Sequence, residues 1–244
     1  VFLNPFGFLF PLACPICGNI LKRRETKVCV SCRSELSRAR VTEPVCGRCG
    51  KPLERLEIEY CYDCEKKRHQ KSDSLCQGTA LWVYNSIMKK AMALFKYEGC
   101  YENASFFADE FTRFRMAKVQ SWDPDCLIPV PLHRHRRWFR GYNQAQVLAE
   151  EIGKRLRLPV ETDILYRRRD TDPQKKLDDK ARRRNMSSAF YVRESSENKL
   201  FGKRVVLIDD IYTTGSTLEA CASELKKAGV SQVYFACLCI GRDY

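Results

Sequence analysis

Eight cysteines at fixed spacing constrain this chain more than any other feature of its sequence. Two C-x-x-C pairs recur 32 residues later in the same order, and eleven residues separate the pairs in both copies. The eight residues are Cys14, Cys17, Cys29, Cys32, Cys46, Cys49, Cys61 and Cys64. Gly18 and Leu21 recur as Gly50 and Leu53. The chain therefore contains a short duplicated unit.

The spacing within each copy is typical of a zinc ribbon. Two C-x-x-C turns joined by a short hairpin present four thiolates to one tetrahedral ion. A unit this short cannot bury a sufficient core, so the metal supplies the missing folding free energy. We predict two structural Zn2+ ions with four cysteines each. Sequential pairing needs less chain to close each site, but cross-braced pairing stays open. Redox-active dithiols are the weaker alternative, because no β-α-β pattern surrounds the cysteines.

The other sequence features indicate a reduced, intracellular environment. The 244 residues contain no apolar stretch near the ~18 residues that span a bilayer. The apolar residues 1–13 lack the basic start and the cleavage site of a secretory signal. We therefore expect a soluble protein with free thiols. Six further cysteines have no ligand spacing and are expected to be mostly small buried residues: Cys76, Cys100, Cys126, Cys221, Cys237 and Cys239.

The hydrophobic pattern after the cysteines predicts a second domain of the α/β class. Residues 65–74 are polar and lack periodicity, which indicates a linker and a boundary near residue 75, between a zinc-ribbon domain (1–75) and a larger domain (76–244). Strands are predicted at 79–84, 126–130, 205–208 and 233–240, because these runs are rich in strand formers or continuously apolar. Helical spacing is found at 87–95, 102–116, 143–156 and 218–225. Strands that alternate with helices predict an open parallel sheet.

The segment 205–217 predicts the ligand site of this sheet. Four apolar residues lead into Asp209 and Asp210, and a loop of hydroxyl residues and glycine follows at the start of a helix. The loop residues are Thr213, Thr214, Gly215, Ser216 and Thr217. Such a loop suits a phosphate monoester, because hydroxyls and backbone N–H groups converge there. The absence of a following lysine argues against a triphosphate-binding P-loop. The carboxylates suit the hydroxyls of a sugar, with Mg2+ nearby.

Residues 205–217 resemble the phosphoribosyl-pyrophosphate (PRPP) loop of type I phosphoribosyltransferases. Further segments resemble the ComF family, whose members carry an N-terminal zinc ribbon before a phosphoribosyltransferase-like domain of Rossmann-like fold. The matching positions are Lys96-Tyr97, residues 129–133, residues 140–144, Gln174, Leu177, Arg182, Asn185, Ala189 and Phe190. The chain departs from the usual family pattern at Tyr142 and Ser216, and both residues keep the local chemistry.

The resemblance implies a role for each segment. Asp209 and Asp210 would contact the ribose hydroxyls of PRPP, and residues 213–217 would hold its 5-phosphate. The segment after Leu132 corresponds to the pyrophosphate loop, and residues 166–190 correspond to the hood over the site. The residues implied in the loop are Arg134, Arg136, Arg137, Arg140, Asn143 and Gln144, and those in the hood are Gln174, Arg182 and Asn185.

The charge distribution supports an anionic partner. The net charge is +13. Within the larger domain, residues 133–140 carry four arginines and no acidic residue, residues 165–184 carry nine basic and four acidic residues, and the remainder is close to neutral. Trp138, Phe139 and Tyr142 lie among the arginines of the first segment. Such a segment can neutralise phosphates and stack bases of single-stranded DNA. Alternatively, the aromatic residues anchor the segment by packing.

Two classes of function remain open at this point. ComF proteins are implicated in natural transformation, so the resemblance implies PRPP, single-stranded DNA, a competence helicase and an inner-membrane DNA channel as partners. The implied location is cytoplasmic or peripheral at the inner membrane. The alternative is a Mg2+-dependent phosphoribosyltransferase without a direct DNA-binding role. It would transfer the sugar from PRPP to an acceptor that the sequence does not identify, through an oxocarbenium-like state with departing pyrophosphate.

Overall fold

A computed structural model of the protein describes residues 12–22, 27–68, 74–97, 102–168 and 189–242. Its strands are β1 (Gly78–Val83), β2 (Cys126–Pro129), β3 (Leu165–Arg167), β4 (Phe190–Val192), β5 (Arg204–Tyr212) and β6 (Gln232–Ile240). Its helices are α1 (Val30–Ala39), α2 (Tyr62–Arg68), α3 (Ser86–Tyr97), α4 (Asn103–Gln120), α5 (Arg134–Arg140), α6 (Gln144–Leu156), α7 (Glu197–Leu200) and α8 (Ser216–Lys227). None of these helices is long and apolar enough to cross a membrane.

The predicted open parallel sheet is confirmed. Four strands lie in the order β1-β6-β5-β2, and every neighbouring pair is parallel. The chain returns beside β2 after α6, where Val160 forms a parallel bridge with Leu127. Strands β3 and β4 form a separate antiparallel pair that the sequence analysis did not predict. They lie at the two ends of the predicted hood.

The sheet separates two hydrophobic cores, because successive side chains of a strand point to opposite faces. On one face, Val205 and Leu207 of β5 pack with α8 and with β3 and β4. On the other face, Val206 and Ile208 pack with α3, α4 and α6. Burial on both faces explains why the strands appear in the sequence as continuous apolar runs.

The two cysteine units pack on opposite faces of the sheet. The first unit contributes Cys14 and Cys32 to the core under α3 and α4. The second contributes its four cysteines to the core under α8. The chain passes between the two faces along the edge of β1, where Val41 N–H donates to the carbonyl of Leu81 at 2.9 Å. The ribbons therefore straddle this edge and shield it from solvent.

Further segments differ in secondary structure from their prediction. Strand β5, predicted at 205–208, continues to Tyr212 and therefore includes Asp209 and Asp210. Helix α2 continues into the polar segment interpreted as a linker, and residues 69–73 lie outside the described residues. The boundary near residue 75 stays a prediction. Residues 134–140, expected as a loop, form helix α5. Of the six remaining cysteines, four are buried as expected, Cys76 is exposed, and Cys100 lies outside the described part of the chain.

Candidate functional site

The sulfur atoms of each cysteine unit converge on one point. Cys14, Cys17, Cys29 and Cys32 form one group, and Cys46, Cys49, Cys61 and Cys64 form the other, with all Sγ atoms of a group within 4.8 Å of one another. Pairing is therefore sequential, and the cross-braced alternative is excluded. Gly18 and Gly50, which follow the second cysteine of each unit, have φ of +78° and +75°. This left-handed conformation explains why glycine recurs there.

The sulfur spacing fits tetrahedral zinc. Zn–S bonds of about 2.3 Å place the sulfurs of a tetrahedral site about 3.8 Å apart. The Sγ atoms of Cys17 and Cys29 are 3.8 Å apart, and those of Cys49 and Cys61 are 3.6 Å apart. All four ligands of the second site are buried. Four thiolates complete the coordination, so each site suits a structural ion rather than a catalytic one.

The predicted carboxylate pair lies near the carboxyl end of β5. Asp210 is 4% exposed, whereas Asp209 is partly buried. The backbone N–H of Asp210 donates to Oδ1 of Asp209 at 2.8 Å. Burial and the adjacent negative charge of Asp210 raise the pKa of Asp209 well above its ordinary value. The two carboxylates are therefore not equivalent, and Asp210 is the more easily ionised of the two.

Lys96 pairs with Asp210, a role that the sequence did not indicate. Its ammonium, at the end of α3, forms an ion pair with Asp210, and the two side chains are 19% and 6% exposed. Burial would raise the pKa of Asp210, but Lys96 and the hydrogen bond with Asp209 lower it below its usual value. Burial would likewise lower the pKa of Lys96, but Asp210 raises it. The resemblance included Lys96, yet no sequence signal linked it to a position 114 residues away.

The hydroxyl loop, residues 213–217, follows β5 directly and leads into α8. Thr213 and Thr214 are exposed, and the hydroxyls of Thr214 and Ser216 are 2.9 Å apart. Helix α8 begins at Ser216, so its first N–H groups lie in the same segment as these hydroxyls. The first backbone bond runs from Glu219 N–H to the carbonyl of Gly215 at 2.9 Å. The arrangement presents backbone and hydroxyl donors together, as phosphate binding requires.

Gly215 is the residue that shapes this loop. Its φ is +74°, and an added Cβ would lie 2.5 Å from the hydroxyl oxygen of Tyr212. Tyr212 in turn is buried and stacks on Phe235, with ring centres 4.7 Å apart. Glycine is therefore required both by the backbone conformation and by the close approach to Tyr212.

One of the predicted pyrophosphate-loop residues, Arg140, reaches the end of α3, and a second, Gln144, contacts Arg140. Arg140 donates to Oε1 of Gln144 and to the hydroxyl of Tyr97, each at 3.0 Å. Its guanidinium carbon lies 4.7 Å from the centre of the Tyr97 ring. The positive charge of Arg140 partly opposes the increase in the pKa of Lys96 that Asp210 causes. The structure thus brings Arg140 close to Lys96 and holds it by a hydrogen bond to Gln144.

Asn143 has a structural role in the described part of the chain. It is buried, its side-chain oxygen accepts from Ala145 N–H, and its Nδ2 donates to the carbonyl of Val130, both at 3.1 Å. It therefore caps α6 and ties this helix to the end of β2. The side chains of the remaining predicted arginines, Arg134, Arg136 and Arg137, lie outside what is described, although their backbone forms α5.

Helix α5 presents its aromatic residues to solvent. Trp138 and Phe139 are each 80% exposed, and their rings meet edge to face with centres 5.1 Å apart. The alternative that these two residues anchor the segment by packing is therefore wrong. The third aromatic residue, Tyr142, donates its hydroxyl to the carbonyl of Phe95 and does anchor the chain.

The hood prediction concerns residues that are not described. Gln174, Arg182 and Asn185 lie between residues 169 and 188, outside the described ranges. The two ends of the hood meet in the β3–β4 pair, where Tyr166 stacks on Tyr191 with ring centres 5.4 Å apart.

Known families match both parts of the chain. A double zinc ribbon domain matches residues 6–65, and a phosphoribosyl transferase domain matches residues 143–244. The second match agrees with the parallel sheet, and the first agrees with the two four-cysteine groups.

Individual proteins and one solved structure are also similar to parts of this chain. Competence protein ComFC of Bacillus subtilis (strain 168) is 32% identical over 234 residues, which cover 91% of this chain and 92% of that protein. Competence protein F of Haemophilus influenzae is 41% identical over 110 residues, and the match spans 45% of this chain and about half, 48%, of that protein. A purine phosphoribosyltransferase structure from Pyrococcus horikoshii aligns over 55% of this chain and 73% of its own, with a TM-score of 0.36 and 20% identity.

Proposed function

The chain belongs to the ComF family of competence proteins, and on that premise we propose that it binds PRPP with Mg2+ and serves the uptake of single-stranded DNA in natural transformation. One observation carries the PRPP assignment. A carboxylate pair lies in the last residues of a central parallel strand, and a loop of hydroxyl and N–H donors begins two residues after it, at the end of the strand. Ligands of open α/β sheets bind at this edge.

The arrangement suits each part of PRPP. The carboxylates of Asp209 and Asp210 accept hydrogen bonds from the ribose hydroxyls, while residues 213–217 donate to the 5-phosphate. Arg140, beside Lys96, supplies positive charge for the pyrophosphate. Mg2+ prefers carboxylate and phosphate oxygens, so the acidic pair and the pyrophosphate are the groups that would hold it; when bound, it neutralises pyrophosphate charge.

Titration of PRPP with Mg2+ against wild type and Asp209→Asn tests this proposal. Burial and the charge of Asp210 raise the pKa of Asp209, so the fold should tolerate a neutral asparagine at this position. Asparagine cannot ionise when PRPP and Mg2+ bind, and it therefore cannot offer a carboxylate to the ribose hydroxyls or the metal. We expect affinity to fall at least ~10-fold, or ~1.4 kcal/mol. Asp123→Asn is the matched control, because Asp123 is 80% exposed and lies before β2, at the opposite end of the sheet. Equal affinity in wild type and Asp209→Asn would refute the assignment.

The DNA role is carried by helix α5. It combines four arginines with two exposed aromatic rings, the combination that neutralises a phosphate backbone and stacks unpaired bases. Its last residue, Arg140, borders the PRPP site. We therefore expect saturating PRPP to weaken DNA binding, whereas separate sites would leave DNA affinity unchanged.

Salt titration of single-stranded DNA binding tests this role. The slope of log affinity against log salt is about −0.7 for each neutralised phosphate. Arg136→Ala with Arg137→Ala should make the slope shallower by about one unit for all sequences alike. Trp138→Ala should weaken the free energy of DNA binding by about 1–3 kcal/mol, because the stacking of a base is lost. Phe201→Ala is the control: it removes an equally exposed ring (79%) elsewhere on the protein and should leave DNA binding unchanged. Salt-independent affinity would contradict the DNA role.

Phosphoribosyl transfer is the second candidate function, favoured by the same carboxylate pair and by the match to phosphoribosyl transferases. Positioning and charge stabilisation suffice for such a reaction, so it needs no protein nucleophile. Release of pyrophosphate from PRPP in the presence of a nucleobase or DNA would support the enzyme. Tight binding without release would indicate PRPP as a regulatory ligand.

A competence helicase and a membrane DNA channel remain the proposed partners, at the inner face of the membrane.

A further inference from the structure

One lysine of the second zinc ribbon reaches the hydroxyl loop. The ammonium of Lys67, on α2, donates to the backbone carbonyl of Thr214 at 2.8 Å, across 147 positions of sequence. Segment 205–217 contains no lysine or arginine of its own. Lys67 therefore brings a positive charge to a loop that otherwise offers neutral donors.

The position of Lys67 is fixed by the ribbon. Helix α2 begins at Tyr62, directly after the ligand Cys61, and contains the ligand Cys64 three residues before Lys67. The N–H of Glu65 donates to the carbonyl of Cys61 at 2.9 Å. The second zinc site thus sets the direction from which α2 approaches the loop.

Further contacts hold the ribbon against the start of α8. Oε1 of Glu219, in the first turn of that helix, accepts from the N–H of Ser74 at 2.7 Å. Oε2 of the same residue lies 3.8 Å from Nη2 of Arg48, which stands between two zinc ligands. The N–H of Gly78 donates to the carbonyl of Arg48 at 2.7 Å. The approach of Lys67 to Thr214 is therefore part of a packed interface and not an isolated surface contact.

We propose that Lys67 is a phosphate-binding residue of the PRPP site, supplied by the second zinc ribbon; this inference rests on the proposed PRPP binding. A phosphate monoester carries a charge of about −1.5 to −2 at neutral pH. A lysine ammonium has three donors and a flexible side chain. Lys67 can therefore donate to a phosphate oxygen, either in addition to its hydrogen bond with the Thr214 carbonyl or in place of it. Charge-assisted bonds of this kind are about twice as strong as neutral ones.

Lys67→Gln tests the inference, with Lys66→Gln as the matched control. Lys66 has the same charge on the same helix, but its ammonium lies 6.0 Å from the ring centre of Tyr62. Affinities are measured with three probes: PRPP with Mg2+, ribose 5-phosphate, and inorganic pyrophosphate. We expect Lys67→Gln to weaken both sugar phosphates about tenfold and to leave pyrophosphate unchanged. Lys67→Arg should retain most of the affinity, and Lys66→Gln should match wild type. Zinc content and melting temperature, measured for every variant, should equal those of wild type.

Each other result overturns the inference in a recognisable way. Wild-type affinity in Lys67→Gln, while wild type binds the sugar phosphates, refutes the role of Lys67 and leaves the proposed function intact. Equal losses in the variants of Lys66 and Lys67 indicate a general charge effect, which also refutes it. Equal loss for pyrophosphate refutes the assignment to the 5-phosphate. A wild-type protein that binds neither PRPP nor ribose 5-phosphate refutes the proposed function together with the inference.

Discussion

Replacement of Lys96 by methionine should destabilise the protein through its buried partner. The change keeps most of the side-chain length but removes the ammonium that pairs with Asp210, whose side chain is 6% exposed. Loss of one partner of a buried pair costs about 3–5 kcal/mol. We expect the lower end of this range, because Lys96 itself is partly exposed. For a chain of this size, 3 kcal/mol corresponds to a fall in melting temperature of roughly 6–12 °C.

The loss of stability in Lys96→Met should be larger at neutral pH than at acidic pH. In wild type, Lys96 keeps the pKa of Asp210 below its unfolded value, so this carboxylate stabilises the fold above pH ~4 and the contribution is lost only as pH falls through the lower folded pKa. Without Lys96, burial raises the pKa of Asp210 above the unfolded value. The loss in free energy of unfolding, relative to wild type, is then largest at pH 7 to 8, and it becomes smaller as the pH falls towards the raised pKa of Asp210.

Thermal unfolding at pH 7.5 and pH 5.5 measures both effects. Lys96→Met should melt well below wild type at pH 7.5, and the difference should narrow at pH 5.5. The double variant Lys96→Met with Asp210→Asn removes both charges and should recover most of the loss. Lys90→Met, an exposed position on the same helix, should melt like wild type. A loss below about 1 kcal/mol at pH 7.5, or no recovery in the double variant, would show that Lys96 does not stabilise the fold through Asp210.

Two further predictions concern the metal sites and the loop. Metal analysis should find two Zn2+ per chain in the wild-type protein, and a content of one or none would contradict the ligand geometry. Cys49→Ser should bind one Zn2+ and melt at a lower temperature, because its ribbon shares a core with β5 and β6. Gly215→Ala should lower the free energy of unfolding by about 1–2 kcal/mol, because alanine disfavours the left-handed backbone conformation of this position. The affinity for PRPP should fall about tenfold or more, because the new Cβ would collide with Tyr212 and displace the loop. Titration and melting curves like those of wild type would show that the loop tolerates a side chain.

The sequence predicted features that depend on local spacing. The zinc groups follow from C-x-x-C turns, and β2, β5 and β6 follow from continuous apolar runs. The carboxylate pair was placed at a strand end because Asp209 and Asp210 interrupt such a run. Each of these signals lies within a few residues or a short repeat.

Contacts between distant segments had no such signal. The Lys67–Thr214 contact joins residues 147 positions apart. The Lys96–Asp210 pair joins the end of helix α3 to the end of strand β5, and these ends come together only when the complete sheet has formed. Helix α5 was missed because seven residues with four arginines and two exposed aromatic rings show no apolar face. The packing of the two ribbons on opposite faces was missed because a repeat in sequence does not reveal where each copy packs.

A crystal structure of the protein with PRPP and Mg2+ would show whether the sugar phosphate binds at the carboxyl end of β5. We expect the ribose hydroxyls beside Asp209 and Asp210, the 5-phosphate within hydrogen-bonding distance of residues 213–217, and the pyrophosphate on the side of Arg140. Sugar phosphate bound at another edge of the sheet, with the carboxylate pair and the hydroxyl loop free of ligand, would contradict it.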